Sequence, residues 1–182
     1  MVKIVFSDIS DCVYSQSLID DFVDERKEYI NSITDIKRKL QSAYVWKLLK
    51  YLFSQFDLSD DHCFCQDGCW KSGNGFIHFS LSHSNNIVCV AFSNEGTVGI
   101  DVEQISDKIL KLKNKYNLCD DCSSLQEHLT LLWTQDESSF KAPGKSSFTY
   151  KKVFDKEGNC YIITVCSDFI VDDFESIDIL KL

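Results

Sequence analysis

Apolar and polar positions along the chain fall into blocks with two different periods. Residues 2–9 alternate weakly, the two-residue period of a strand. Over 35–56 the period changes: Val45, Leu48, Leu49, Leu52, Phe53 and Phe56 recur at three- and four-residue steps, predicting a long amphipathic helix. Residues 18–32 carry a more charged helical pattern, acidic first and basic after. The stretch "DHCFCQDGCWKSGNG" at 61–75 holds three glycines and predicts an irregular loop. "FIHFSLSHS" and "IVCVAFS" read as two strands joined tightly at Asn85-Asn86, and a turn at Asn94-Glu95-Gly96 leads into a third, "VGIDVE". Residues 106–117 predict a short helix. Residues 124–141 predict a second strong one, with Leu125, Leu129, Leu132, Trp133 and Phe140 on one face and Ala142-Pro143-Gly144 as its stop. The strands "FTYKKVF" and "CYIITVC" then form a hairpin about Glu157-Gly158-Asn159.

Helix followed by paired strands thus occurs twice. The pattern predicts an α+β fold of two similar halves, residues 1–96 and 97–182. With Pro143 the only proline and no Gly/Ser-rich linker, the halves should form one compact unit.

Composition narrows the function. The formal charge is −9 and the pI near 4.8, which argues against nucleic acid and against anionic membrane surfaces as general partners. No apolar run is long enough to span a bilayer, and the N-terminal residues do not read as a signal peptide. Nine cysteines, an odd count, fit free thiols in a reducing cytoplasm. Cys119-Asp-Asp-Cys122 also has zinc-knuckle spacing, and His62, Cys63, Cys65 and Cys69 could add ligands.

The candidate chemistry is acidic and basic at once. Alternation along "GIDVE" puts Asp101 and Glu103 on one face of a strand, either a wet acidic edge or a divalent metal site. Glu137 and Lys141 lie four apart on the second long helix, as a surface ion pair or as site residues. With Glu137 the acids number three, enough for a hard cation such as Mg²⁺ with water and phosphate oxygens completing its shell. Running the stripe of the first long helix back seven residues from Val45 reaches Arg38, expected to lean inward as an ion-pair partner or a phosphate clamp. His83 would add to the cations, and no Walker-type glycine loop is present. The densest basic stretch is Lys108, Lys111, Lys113 and Lys115, either a docking surface or a solvated helix face.

In order and spacing, "HFSLSHS" at 78–84, "VGIDVE" at 98–103 and W-T-x-x-E-S-x-x-K from Trp133 to Lys141 resemble the 4′-phosphopantetheinyl transferases of the Sfp type, and "IKRKL" resembles their arginine-bearing segment. The resemblance implies a pseudo-dimer of two α/β halves, expected to act as a monomer, with coenzyme A in the cleft between them. It implies transfer of 4′-phosphopantetheine to a serine of an acyl or peptidyl carrier protein. Asp101, Glu103 and Glu137 would hold Mg²⁺, and Glu137 would also take the serine proton. His83 and Lys141 would contact coenzyme A phosphates, Arg38 its 3′-phosphate, and the lysines at 108–115 would meet the acidic carrier.

The chain departs from the family pattern at Asp136, where a lysine is usual and where helical spacing predicts an inward-facing, buried acid. Gly68-Cys69-Trp70 stands near the place of a usual G-K-P, and Gly144 keeps only the first glycine of a usual G-x-G. Two expectations therefore stand: an active transferase, or a relative that binds coenzyme A or a carrier without efficient transfer.

Overall fold

The computed structural model describes residues 1–66, 68–116, 124–145, 147–169, 171 and 173–182. Strand β1 (Val2–Asp8) leads to two helices, α1 (Asp24–Ser32) and α2 (Ile36–Ser54). Asp35 caps α2 by accepting the Arg38 N–H at 2.6 Å. A hairpin follows, β2 (Cys63–Gln66) and β3 (Cys69–Ser72), in place of the irregular loop expected there. Its strands are too short to show a period, and Gly68, at φ +77°, makes its turn. Next come β4 (His78–Ser84), β5 (Ile87–Ser93) and β6 (Gly99–Gln104). A 3₁₀ segment over Asp107–Leu112 runs into the one-turn α3 (Lys113–Tyr116). Then come α4 (Leu125–Lys141), β7 (Ser147–Phe154), β8 (Cys160–Ser167) and β9 (Phe174–Ser176).

The protein is α+β, and its strand order repeats. In the first run β5 lies between β1 and β4; in the second β8 lies between β6 and β7, every pair antiparallel. Apart from the β2–β3 hairpin inserted in the first, each run reads strand, helices, strand, strand, with its last strand between the other two. β9 breaks the symmetry by pairing parallel with β1.

Alternation along the strands builds four layers. Val5, Val88, Val90 and Phe92 face α2, packing with Val45, Trp46, Leu49 and Phe53. Ile4, Cys89 and Ala91 face the other way and meet Ile100, Val102, Ile163 and Val165 of the second sheet. α4 covers the outer side of that second sheet, against β6 and β8. No described helix is long and apolar enough to cross a membrane.

Candidate functional site

The site begins at the outer face of β6. Ile100 and Val102 point into the core, so Asp101 and Glu103 point toward α4, as alternation predicts. Asp101 is only 7% exposed. The acids are held from β4, whose Ser80, Ser82 and Ser84 face β6 with side chains instead of backbone. Their Oγ atoms accept the N–H groups of Ile100, Val102 and Gln104 at 3.1, 3.2 and 3.3 Å. Ser82 then donates to Asp101 Oδ1 at 2.8 Å, and Ser84 to Glu103 Oε1 at 3.1 Å. Burial pushes the Glu103 carboxyl above its ordinary value; the Ser84 hydroxyl pulls against this, and the Asp101 charge adds to the rise.

α4 approaches this face very closely. A Cβ on Gly99 would lie 2.0 Å from the Ser138 carbonyl oxygen, so only glycine admits the helix there. The approach delivers Lys141, whose ammonium donates to Asp101 Oδ1 at 2.9 Å, Ile100 O at 2.8 Å and Leu81 O at 3.5 Å. All three ammonium protons can thus be satisfied at once. Glu137, half-buried one turn earlier, is not gathered with the strand acids: among the described residues no group of three or more His, Cys, Asp or Glu side chains is placed to hold a metal ion. The donor chemistry still suits a hard cation. Asp101 and Glu103 are paired oxygen donors whose mutual repulsion a divalent ion would relieve.

Three cations bear electrostatically on His83. Burial lowers its pKa to about 4, and the charges of Arg26, Lys141 and Arg38 push in the same direction. Arg38 itself is exposed, against expectation, because the first turn of α2 projects past the core, with Ile36 65% exposed. The buried cation is Arg26 of α1, 3% exposed. Its guanidinium lies 4.7 to 5.1 Å from the rings of Trp46, Trp70 and Tyr29 and donates to the Ser42 carbonyl and hydroxyl at 2.6 and 2.9 Å. Among the described residues no carboxylate pairs with it, and its buried Nε has no hydrogen-bond partner. Burial lowers its pKa to about 10. Sequence periodicity gave no sign of Arg26, since one charge within a run of five on a short polar helix looks solvated.

A groove of about 420 Å³ runs from the β2–β3 hairpin to Lys141, a size suited to a small organic ligand. Trp70, Ile77, Phe79, Leu81 and Val98 supply its apolar wall. Gly68, Cys69 and Trp70, the segment singled out in the sequence, line its far end.

Two expectations for α4 are corrected. Phe140 is 75% exposed, and Asp136 is exposed, accepting hydrogen bonds from Lys115 Nζ at 2.8 Å and the Tyr116 hydroxyl at 2.7 Å. Leu125 and Leu129 are buried as expected, and Thr130, Thr134 and Ser138 complete the buried face. The small and polar Thr130, Thr134 and Ser138 let the helix sit against the sheet, while Trp133 packs partly buried beside Ile109, Leu125 and Leu129 and Phe140 turns outward. Of the basic run, Lys108 and Lys111 are exposed, and Lys115 lies over the Trp133 and Tyr116 rings. Cys12, Cys63, Cys65, Cys69, Cys89, Cys160 and Cys166 are free thiols, while Cys119 and Cys122 lie outside the described residues.

No family model matches the chain, and no curated protein matches it.

Proposed function

We propose that this protein is a 4′-phosphopantetheinyl transferase that moves 4′-phosphopantetheine from coenzyme A to a serine of an acyl or peptidyl carrier protein. One observation carries the reading: the groove ends at Lys141, whose ammonium binds Asp101 beside Glu103, and the charges of Arg26, Arg38 and Lys141 all bear on the buried His83. Such a junction suits a ligand with an organic body and a metal-bound diphosphate. The repeated strand order supports a pseudo-dimer of two halves, residues 1–96 and 97–182, with the site at their junction.

The serine oxygen would bond to the phosphorus carrying pantetheine while the bond to adenosine 3′,5′-bisphosphate breaks. Mg²⁺, when bound, would supply charge neutralisation at the diphosphate. Asp101 and Glu103 would hold the ion, with Glu137 joining them on closure or acting through water. Glu137 would accept the serine proton. Lys141 and His83 would contact phosphates, and Arg26 and Arg38 would bring positive charge to the same anion. The exposed Lys108 and Lys111, with Lys113 and Lys115, would face the acidic carrier.

The Lys141–Asp101 ion pair and the outlying Glu137 favour a second reading, a protein that binds coenzyme A or a carrier without efficient transfer. Incubation with coenzyme A, Mg²⁺ and a panel of apo-carriers separates the two. Intact mass should show addition of one phosphopantetheine; coenzyme A binding without addition to any carrier would establish the second reading.

A further inference from the structure

We infer that Ser82 and Ser84 are positioning residues that aim Asp101 and Glu103 at a divalent cation through hydroxyls anchored to the β6 backbone. The inference rests on the transferase reading. β6 pairs with β8 along one edge, so the Ile100, Val102 and Gln104 N–H groups that lie on its other edge need acceptors. A neighbouring strand would offer carbonyls there; β4 offers serine oxygens. The substitution changes what happens next. A carbonyl only accepts, whereas a hydroxyl that accepts still has a proton to give. In Ser82 and Ser84 that proton goes to a carboxylate.

The geometry is a repeated unit. Each serine takes an N–H from one residue of β6 and donates to the side chain of the residue before it. Ser82 joins Val102 N to Asp101, and Ser84 joins Gln104 N to Glu103. Ser80 takes the Ile100 N–H in the same way, but the preceding residue is Gly99, which has no side chain. The protein thus contains its own control, a rung without a carboxylate. Each working rung engages one oxygen, Oδ1 or Oε1. The other, Oδ2 or Oε2, takes no hydrogen bond from a described side chain and is left to serve as a ligand. Outer partners of this kind commonly change metal affinity by about 10–100-fold.

The test compares Ser80→Ala, Ser82→Ala, Ser84→Ala and Ser84→Thr in the full chain. Mn²⁺ serves as probe, read by electron paramagnetic resonance at saturating coenzyme A, beside thermal melting. All three alanine variants should melt lower, each having lost one backbone rung. Only Ser82→Ala and Ser84→Ala should weaken Mn²⁺ binding, by about tenfold or more, and Ser84→Thr should recover it. Equal Mn²⁺ affinity across the three alanine variants would overturn the inference while leaving carrier modification, and so the transferase reading, intact. No Mn²⁺ binding and no carrier modification by the unsubstituted protein would overturn both.

Discussion

α2 and α4 occupy equivalent places in the two runs, each laid on the outside of a three-strand unit, yet they do opposite work. α2 buries Trp46, Leu48, Leu49, Leu52 and Phe53, and bulky side chains hold it off its sheet. α4 buries Thr130, Thr134 and Ser138, with the Thr134 hydroxyl bonded to Thr164 of β8 at 2.7 Å. Its backbone comes close enough to exclude a side chain at residue 99. One helix thus builds a core and the other brings charge onto the sheet. Lys141 reaches Asp101 because α4 gave up apolar volume. The same topology can therefore serve stability or chemistry, according to side-chain size at the helix–sheet seam.

The contrast can be broken at its strongest point first. Trp46→Ala should cost about 3–5 kcal/mol and lower the melting temperature by roughly 10 °C. It removes a fully buried ring that packs on Trp70 and Phe79 and donates to the buried Asp60 at 2.8 Å. Thermal melting followed by circular dichroism measures this, and Thr134→Ala on α4 should lose much less. Equal losses would erase the distinction between the helices.

Gly99→Ala should cost about 1–3 kcal/mol, but its sharper effect is on ligand binding. A methyl group 2.0 Å from the Ser138 oxygen must push α4 outward, and Lys141 with it. Coenzyme A affinity by calorimetry should fall more than stability alone explains; unchanged affinity would show that helix position does not set the site.

A third effect comes from pH. His83 has an ordinary value of 6.5 and a folded value of about 4, so between these the unfolded chain binds a proton that the folded protein refuses. Stability should therefore fall as pH drops through this window and level off below it. Arg26 from α1, Arg38 from α2 and Lys141 from α4 all oppose protonation. A bound anion should raise the folded value, so coenzyme A should flatten the slope of melting temperature against pH. His83→Asn should flatten it without ligand, and an unaltered slope in that variant would assign the effect elsewhere.

The smallest effect belongs to the exposed rim of α4. Asp136→Lys would face Lys115 with a like charge, lowering the melting temperature slightly and more at low salt. A gain in stability would mean that the Lys115 contact is not what holds Asp136.

Sequence legibility followed the same division. α2 and the long strands show in the chain because large apolar residues mark their buried faces. The Asp101/Glu103 face was legible for the same reason, since Ile100 and Val102 fix the alternation around them. The face of α4 was legible only at Leu125 and Leu129, because threonine and serine at a helix–sheet seam look like solvent positions. Arg26 escaped notice because a buried cation boxed by aromatic rings depends on residues up to 44 positions away, at Trp70. The alternate serines of "SLSHS" were visible, but their partner strand was not, since a rung between two sheets has no signature in either strand alone.

The parallel contact of β9 with β1 has a consequence for how the molecule must assemble. Ile4 meets Phe174, and Ile179 is buried in the core beneath α2. The first sheet is therefore closed by residues synthesised after everything else in it, and until they arrive the free edge of β1 is an open template for any strand nearby. Contacts so distant along the chain are also slow to find. A ribosome releasing this protein would expose a complete second run before the first is sealed, which makes residues 174–182 a latch on folding order as much as a strand.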